Sequence, residues 1–169
     1  MRRALWVFVG VVFCLSVFAG AAHAADKFGY VDLGKIFGDY SKTKDYDKVL
    51  SDKENVYNTE REKKVADLKQ YDEKLGLLSE KERAAKKSEI ETKIKSFKDF
   101  DTQKLTDLRK EQDEKMREIM KDIQDAVNQY AGQEVYTMVL NDRVLVYKVK
   151  SYDISEKIIA ILNGKYVKK

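Results

Sequence analysis

Residues 76–82 read GLLSEKE and interrupt a long stretch of helix-forming sequence. That stretch, residues 41–130, has no proline and one glycine, Gly76, and is dominated by Lys, Glu, Asp, Gln, Leu and Ala, which favour helices. Ser79 precedes Glu82 by three residues, the spacing of a capping box at the start of a helix. The sequence therefore predicts an antiparallel pair of long helices, with the chain turning near residues 76–82.

Apolar residues on both sides of this turn recur at alternating spacings of three and four, which is typical of a coiled-coil seam. The outgoing helix has the patchier pattern and is interrupted around Lys53 and residues 60–64, which favours a flexible arm. The predicted seam residues are Tyr46, Val49, Leu50, Val56, Tyr57, Val65, Leu68, Tyr71, Leu75 and Leu78, followed by Ile90, Ile94, Phe97, Leu105, Leu108, Met116, Ile119, Ile123, Ala126 and Tyr130.

The regions on either side of the arm contain strand-forming sequence. Lys27–Leu33 (KFGYVDL) is rich in aromatic and β-branched residues, which predicts a strand, and a short helix is expected at 35–40. After Gly132 the pattern changes to alternation, and Glu134–Leu140 and Arg143–Val149 flank Asn141-Asp142. Residues of that kind close tight hairpins, so a second and a third strand are predicted there.

A closing helix follows, for which Asp153 and Glu156 form a predicted capping box and which should end at Asn163-Gly164. Residues 25–40 and 131–169 would then form one small body, for which a core is marginal without disulfides, metals or partners. The chain is predicted to be α+β, with a helical hairpin on a small β-sheet body. The strands carry more apolar surface than one sheet face buries, so we expect association of copies through Tyr30, Val31, Val135, Val139, Val144 and Val146.

The first 24 residues are expected to be a cleaved signal peptide. Arg2 and Arg3 precede an apolar run, and Ala22-His23-Ala24 supplies the small-residue pattern of a cleavage site. The alternative is an uncleaved membrane anchor, because the apolar run approaches the ~18 residues that span a bilayer.

Cleavage after residue 24 would remove Cys14 and His23, the only cysteine and histidine. The mature chain would then have no thiol nucleophile, no imidazole base and no disulfide, and we expect no catalytic residue, no metal ligand and no cofactor. The sequence also has no Gly-rich phosphate loop of the P-loop type. Removing Arg2 and Arg3 leaves 31 basic and 29 acidic side chains, a formal net charge of +2, which argues against a nucleic-acid partner.

The two ends of the mature sequence resemble one known family. Phe28–Phe37 (FGYVDLGKIF) looks like the opening strand and short helix of the Skp (OmpH) periplasmic chaperones. Tyr136–Tyr147 (YTMVLNDRVLVY), with Asp153–Ser155 and Leu162-Asn163, is similar to the closing part of the family. The helical arm between them matches in length and character, so the resemblance covers essentially the whole mature chain.

The resemblance implies a homotrimer in the periplasm, with strands from each subunit in a central body and helical hairpins around a cavity. Members bind unfolded outer-membrane proteins there without ATP. Phe97, Tyr71 and Tyr130 lie on the predicted seam and should fill it, whereas Tyr57 and Phe100 lie near its margin and are the arm residues expected to contact clients.

Well-known members are strongly basic and are thought to contact lipopolysaccharide, whereas this mature chain is nearly neutral, so no dedicated lipopolysaccharide site is expected. The basic residues Lys81, Arg83, Lys86 and Lys87 near the arm tip are expected to be part of a solvated tip. A weak contact of these residues with an anionic membrane or lipopolysaccharide is the alternative.

Three other kinds of protein fit parts of this pattern. A secreted coiled-coil scaffold of the cell envelope would share the seam and the oligomer but would need no client cavity. An anchored periplasmic scaffold depends on whether the signal is cleaved. An enzyme would need clustered titratable groups in a pocket, which a mature chain without histidine or cysteine supplies poorly.

Overall fold

The computed structural model describes residues 26–167, so the predicted signal segment 1–24 lies outside it. Within that range the chain is mostly helical with a small sheet, as predicted, but the sheet has two strands instead of the three expected. Its elements are β1 (Phe28–Val31), α1 (Leu33–Asp39), α2 (Ser41–Gly76), α3 (Glu80–Gln133), β2 (Met138–Asn141), 3₁₀ turns at Asp142–Val144 and Lys150–Tyr152, and α4 (Ser155–Lys165).

Helices α2 and α3 pack against each other as the predicted hairpin. They contain 36 and 54 residues, which corresponds to lengths of about 54 and 81 Å. The turn lies at residues 77–79, within the range expected from the sequence, and the capping box between Ser79 and Glu82 is present. Arg83 adds a second cap, donating from Nε to the Leu75 carbonyl (2.8 Å) and from Nη2 to the Gly76 carbonyl (2.5 Å).

The sheet of the body joins the two ends of the chain. Strand β1 pairs in parallel with β2, with Phe28 opposite Met138. On its other side β1 forms a bridge from Tyr30 to Asp153, where the Ile154 amide donates to the Tyr30 carbonyl at 3.0 Å. Strand β1 therefore lies between two C-terminal segments, so the body cannot form until the arm has been completed.

The core lies where α1, α4 and the root of α3 meet β1. Apolar side chains of these elements share one cluster, in which Ile36 and Ile158 are fully buried. The cluster comprises Val31, Ile36, Tyr40, Ile119, Ile123, Ala126, Ile154, Ile158, Ile159 and Leu162.

The predicted β-hairpin after Gly132 is wrong for this chain. Only Met138–Asn141 is a strand, and Arg143–Val149 is not one. The Asn141 side chain accepts from the Arg143 amide at 3.1 Å, which directs the chain into a 3₁₀ turn, and Lys148 pairs with Asp142 at 2.8 Å. These local bonds replace the predicted pairing. Val144, Val146, Tyr147 and Val149 face solvent, and Leu145 is half-buried.

The predicted cap of the closing helix is also wrong. Helix α4 begins at Ser155 with Ile154 as its N-cap, and Asp153 accepts from the Ser155 amide at 2.9 Å. Glu156 pairs instead with Lys35 across to α1, at 3.0 Å. Asp153 therefore binds the first residue of α4 and Glu156 binds α1, in place of the reciprocal side-chain-to-backbone bonds of a capping box.

Candidate functional site

The arm formed by α2 and α3 has a shallow interior over most of its length. Apart from Tyr57, its fully buried side chains lie at the root, at Thr43, Ile119, Ile123 and Ala126. Between residues 58 and 118 every side chain is exposed or half-buried. Most of the arm therefore lacks the close-packed core that would make it a rigid rod.

The predicted seam is correct only in part. Leu50, Leu68 and Leu108 are half-buried between the helices, whereas Val56 is 56% exposed. Other predicted seam residues are exposed as well. Over a long helix, positions spaced by three and four drift around the helix axis, so some of them lie beside the contact with the other helix and not within it. These exposed seam positions are Val49, Val56, Val65, Ile94, Leu105 and Met116.

Polar contacts cross the arm where apolar packing is thin. Lys53 donates to both oxygens of Glu111 (2.5 and 2.6 Å), and Lys104 pairs with Glu60 at 3.4 Å. These side chains are 30–48% exposed, and such pairs contribute at most about 1 kcal/mol each. The helices are thus held together by weak contacts that leave the arm deformable.

Tyr57, one of the two predicted client contacts, lies inside the arm and is 8% exposed. Its hydroxyl donates to Asp101 Oδ1 at 2.8 Å, and Arg61 Nε donates to the same oxygen at 3.0 Å. Burial raises the pKa of Tyr57, and the bond to Asp101 adds to the rise. This position gives Tyr57 a packing role between the helices.

Phe100, the other predicted client contact, is half-buried and stacks on Tyr57 with ring centroids 6.3 Å apart. The ammonium groups of Lys64 and Lys104 lie 4.8 and 5.8 Å from its ring centroid. Its ring therefore has apolar and cationic neighbours, and an incoming chain can reach part of it.

An ion network fixes the root of the arm to the body. Lys42 on α2 contacts Glu118 (2.7 Å) and Asp122 (2.6 Å) on α3, and the Tyr40 hydroxyl donates to Asp122 at 3.1 Å. Burial opposes the charge on Lys42, but the hydrogen bonds to Asp122 and Glu118 outweigh it and raise its pKa. Hydrogen bonds from Lys115 and Lys42 lower the pKa of Glu118 to about 2.

The same root carries an open groove of about 710 Å³, lined by four lysines and four carboxylates around Tyr46 and Ile119. Mixed charges around an apolar floor suit a polypeptide better than one small anion or cation. Among residues 26–167 no cluster of three or more His, Cys, Asp or Glu could hold a metal ion. In that same range no helix is long and apolar enough to cross a membrane.

The basic residues at the arm tip are partly engaged within the chain. Arg83 caps α2, and Lys86 pairs with Glu89 at 2.8 Å. Glu80 and Glu82 lie in the first turn of α3. Because Arg83 and Lys86 contact other groups of the chain and carboxylates lie between the basic residues, the tip does not present a purely basic surface.

Residues predicted to join subunits divide into two groups. Tyr30 and Val31 are buried in the subunit's own core, and Val139 packs against it in part. Val135 and Val144 are 75% and 69% exposed, and Val146 is fully exposed. The body exposes five more apolar side chains that the six-residue prediction did not include: Phe28, Met138, Tyr147, Val149 and Tyr152. These five and the three exposed valines are together called its apolar patch.

Two comparisons place this architecture among known proteins. A family model described as outer membrane protein (OmpH-like) matches residues 27–162. A solved structure from Caulobacter crescentus CB15, described as a proposed outer membrane chaperone (OmpH-like), is similar with a TM-score of 0.76 and 11% identity, covering 85% of this chain and 87% of that one. At that identity the likeness concerns the fold. No curated protein sequence matches the chain.

Proposed function

This chain belongs to the OmpH-like family of outer membrane proteins, and on that premise we propose that it is an ATP-independent periplasmic holdase. It binds unfolded outer-membrane proteins and prevents their aggregation on the way to the outer membrane. The similar Caulobacter crescentus structure, described as a proposed outer membrane chaperone, supports this class of function.

The observation that carries the proposal is the arm. A holding chaperone must accept many sequences without demanding one geometry, which requires a surface of weak and adaptable contacts. Between residues 58 and 118 the arm has no fully buried side chain, and its two helices are joined by exposed ion pairs. A coiled-coil scaffold that acts as a rigid rod would need a continuous, well-packed seam between its helices instead.

Self-association is the second part of the proposal, and we propose a homotrimer. Within residues 26–167 the segment Arg143–Val149, whose composition favours a strand, has no partner strand, and Val146 is fully exposed. Monomeric proteins rarely leave large apolar patches uncovered. Pairing of this segment with another copy would cover the patch and gather the arms around a shared cavity, while the number three comes from the family.

Aggregation of a denatured client provides the test. A urea-denatured outer-membrane β-barrel protein is diluted into buffer with an excess of the mature chain and no nucleotide, and light scattering is followed. We expect the scattering to be suppressed when the assembled oligomer is in molar excess over the client. Serum albumin at the same mass concentration is the control, and scattering unchanged from that control would contradict the proposal and favour the envelope scaffold.

A further inference from the structure

The residue that follows the C-cap of helix α3 has an uncommon backbone conformation. Val135 has φ of 55° and is the one non-glycine residue in 26–167 with a positive value. For a β-branched side chain this left-handed region is a genuine outlier. Its side chain is 75% exposed, so the packing of that side chain does not enforce the conformation.

The hydrogen bonds around Val135 are those of a Schellman helix end. The Tyr136 amide donates to the Ala131 carbonyl at 2.9 Å, and the Val135 amide donates to the Gly132 carbonyl at 3.4 Å. Tyr136 also contacts the Tyr130 ring, with centroids 6.0 Å apart. In this motif the residue at the position of Val135 is usually glycine.

The glycine that would suit this motif lies three residues earlier. Gly132 is inside the last turn of α3, where a glycine weakens the helix, and a Cβ added there would meet no atom within 4 Å. If α3 ended with Gly132 in the left-handed conformation, residues 134–140 (EVYTMVL) could extend. Their composition favours a strand, yet in this structure β2 contains only Met138–Asn141.

The contacts that hold the present helix end are weak. Lys27 Nζ donates to the Glu134 carbonyl (2.9 Å) and to Glu134 Oε2 (3.0 Å), and lies 4.3 Å from the Tyr136 ring centroid. The Lys27 and Glu134 side chains are 42% and 49% exposed, and exposed pairs contribute little. The Tyr136 ring also lies on Gly29, where an added Cβ would come within 2.8 Å of it.

We infer that the junction between α3 and β2 is a two-state switch coupled to assembly. In the single chain α3 ends at Gln133, and Val135 takes the left-handed position that closes it. When strands of neighbouring copies pair, the helix ends at Gly132 and residues 134–140 form a longer strand, which relieves the strain at Val135. Because α3 is half of the arm, assembly then changes how the arm leaves the body. The inference rests on the self-association proposed above.

Two substitutions test the switch in the full mature chain. Gly132→Ala removes the residue that tolerates the left-handed conformation, and Val135→Gly removes the strain. Both favour the present helix end, and we expect the melting temperature of the unassembled chain to rise by about 2–4 °C. Sedimentation velocity over a range of concentrations should show association weakened about fivefold or more.

Val135→Ile keeps a β-branched apolar side chain at the same position and serves as the control, so it should associate like the unsubstituted chain. Variants with raised melting temperature and unchanged or tighter association would overturn the switch while leaving self-association intact. An unsubstituted chain that remains monomeric throughout would contradict self-association itself, and the switch with it.

Discussion

Single side chains join the ends of the molecule, and Asn163 is the clearest case. Tyr40, the N-cap of α2, gives that helix no side-chain cap. Asn163 supplies the missing contact from α4, because its Oδ1 accepts from the Ser41 amide at 2.8 Å and its Nδ2 donates to the Asp39 carbonyl at 3.2 Å. One amide thus serves the end of α1 and the start of α2.

Replacing Asn163 by Ala should therefore destabilise the body. Loss of a cap that leaves an amide and a carbonyl without this partner costs about 1–2 kcal/mol in the free energy of unfolding, measurable by urea denaturation. Asn128→Ala is the control, since Asn128 is exposed on α3 and only accepts from Gln124. That variant should stay within about 0.5 kcal/mol of the parent, and equal stability of the two variants would contradict the role of Asn163.

The root of the arm should respond to acid through Glu118. Its pKa in the folded chain is about 2, against an ordinary value of 4.5. A lowered pKa means that the carboxylate contributes stability fully above pH 4.5 and loses it as the pH falls towards 2.

We expect Glu118→Gln to melt at a lower temperature than the parent near neutral pH, with the gap closing as the pH falls through that range. Thermal unfolding followed by circular dichroism at several pH values measures the gap. Glu114→Gln is the matched control on the same helix, because Glu114 is exposed. A gap that stays constant across the acid range would show that Glu118 is not coupled to Lys42 and Lys115 as described.

Among the elements, the arm depends on a few polar contacts between α2 and α3. Asp101 accepts from both Tyr57 and Arg61, so Asp101→Ala would leave a buried hydroxyl without its partner. A buried group left unsatisfied costs about 1–3 kcal/mol. Amide hydrogen exchange around residues 53–61 and 97–105 should then become about 5- to 160-fold faster.

Asp99→Ala provides the control for the arm, because Asp99 is exposed on the same helix and two residues away. Its exchange should match that of the parent chain. Equal acceleration in both variants would mean that lost charge, rather than the contact with Tyr57, loosens the arm.

Elements whose signals are local were predictable from the sequence, and those that depend on distant partners were not. The helices and the turn between them follow from composition and from Ser79 and Glu82, which lie within four residues of each other. The parallel pairing of β1 with β2 joins residues about 110 positions apart, and no local pattern encodes it. The hairpin prediction for Arg143–Val149 failed because the Asn141 side chain accepts from the Arg143 amide and directs the chain into a 3₁₀ turn instead of a tight reversal.

The candidate site shows the same limit. Tyr57 lay near the margin of the predicted seam, but in the structure it is buried in the contact between the two helices. Its hydrogen-bond partner Asp101 belongs to the other helix. Its placement depends on how α2 and α3 rotate against each other. Periodicity alone specifies that rotation only approximately.

For the whole molecule, the exposed patch on the body should drive assembly. Val146→Asp places a charge in that patch and should weaken self-association by more than about tenfold. Because Val146 is fully exposed in the subunit, helix content and melting temperature of the unassembled chain should not change. Sedimentation equilibrium measures the effect.

Val65→Asp is the control for a charge added to an exposed valine, since Val65 lies on the arm and is 42% exposed. It should leave association intact. Loss of association in both variants, or in neither, would contradict the role of the body patch as the interface.

The most direct test of the holdase is the mass of its complex. The mature chain is mixed with a urea-denatured outer-membrane β-barrel protein, without nucleotide, and size-exclusion chromatography is coupled to multi-angle light scattering. A stable particle with the mass of one oligomer plus one client is the expected result. Separate recovery of the chain at its own mass, with the client as aggregate, would contradict the proposed function.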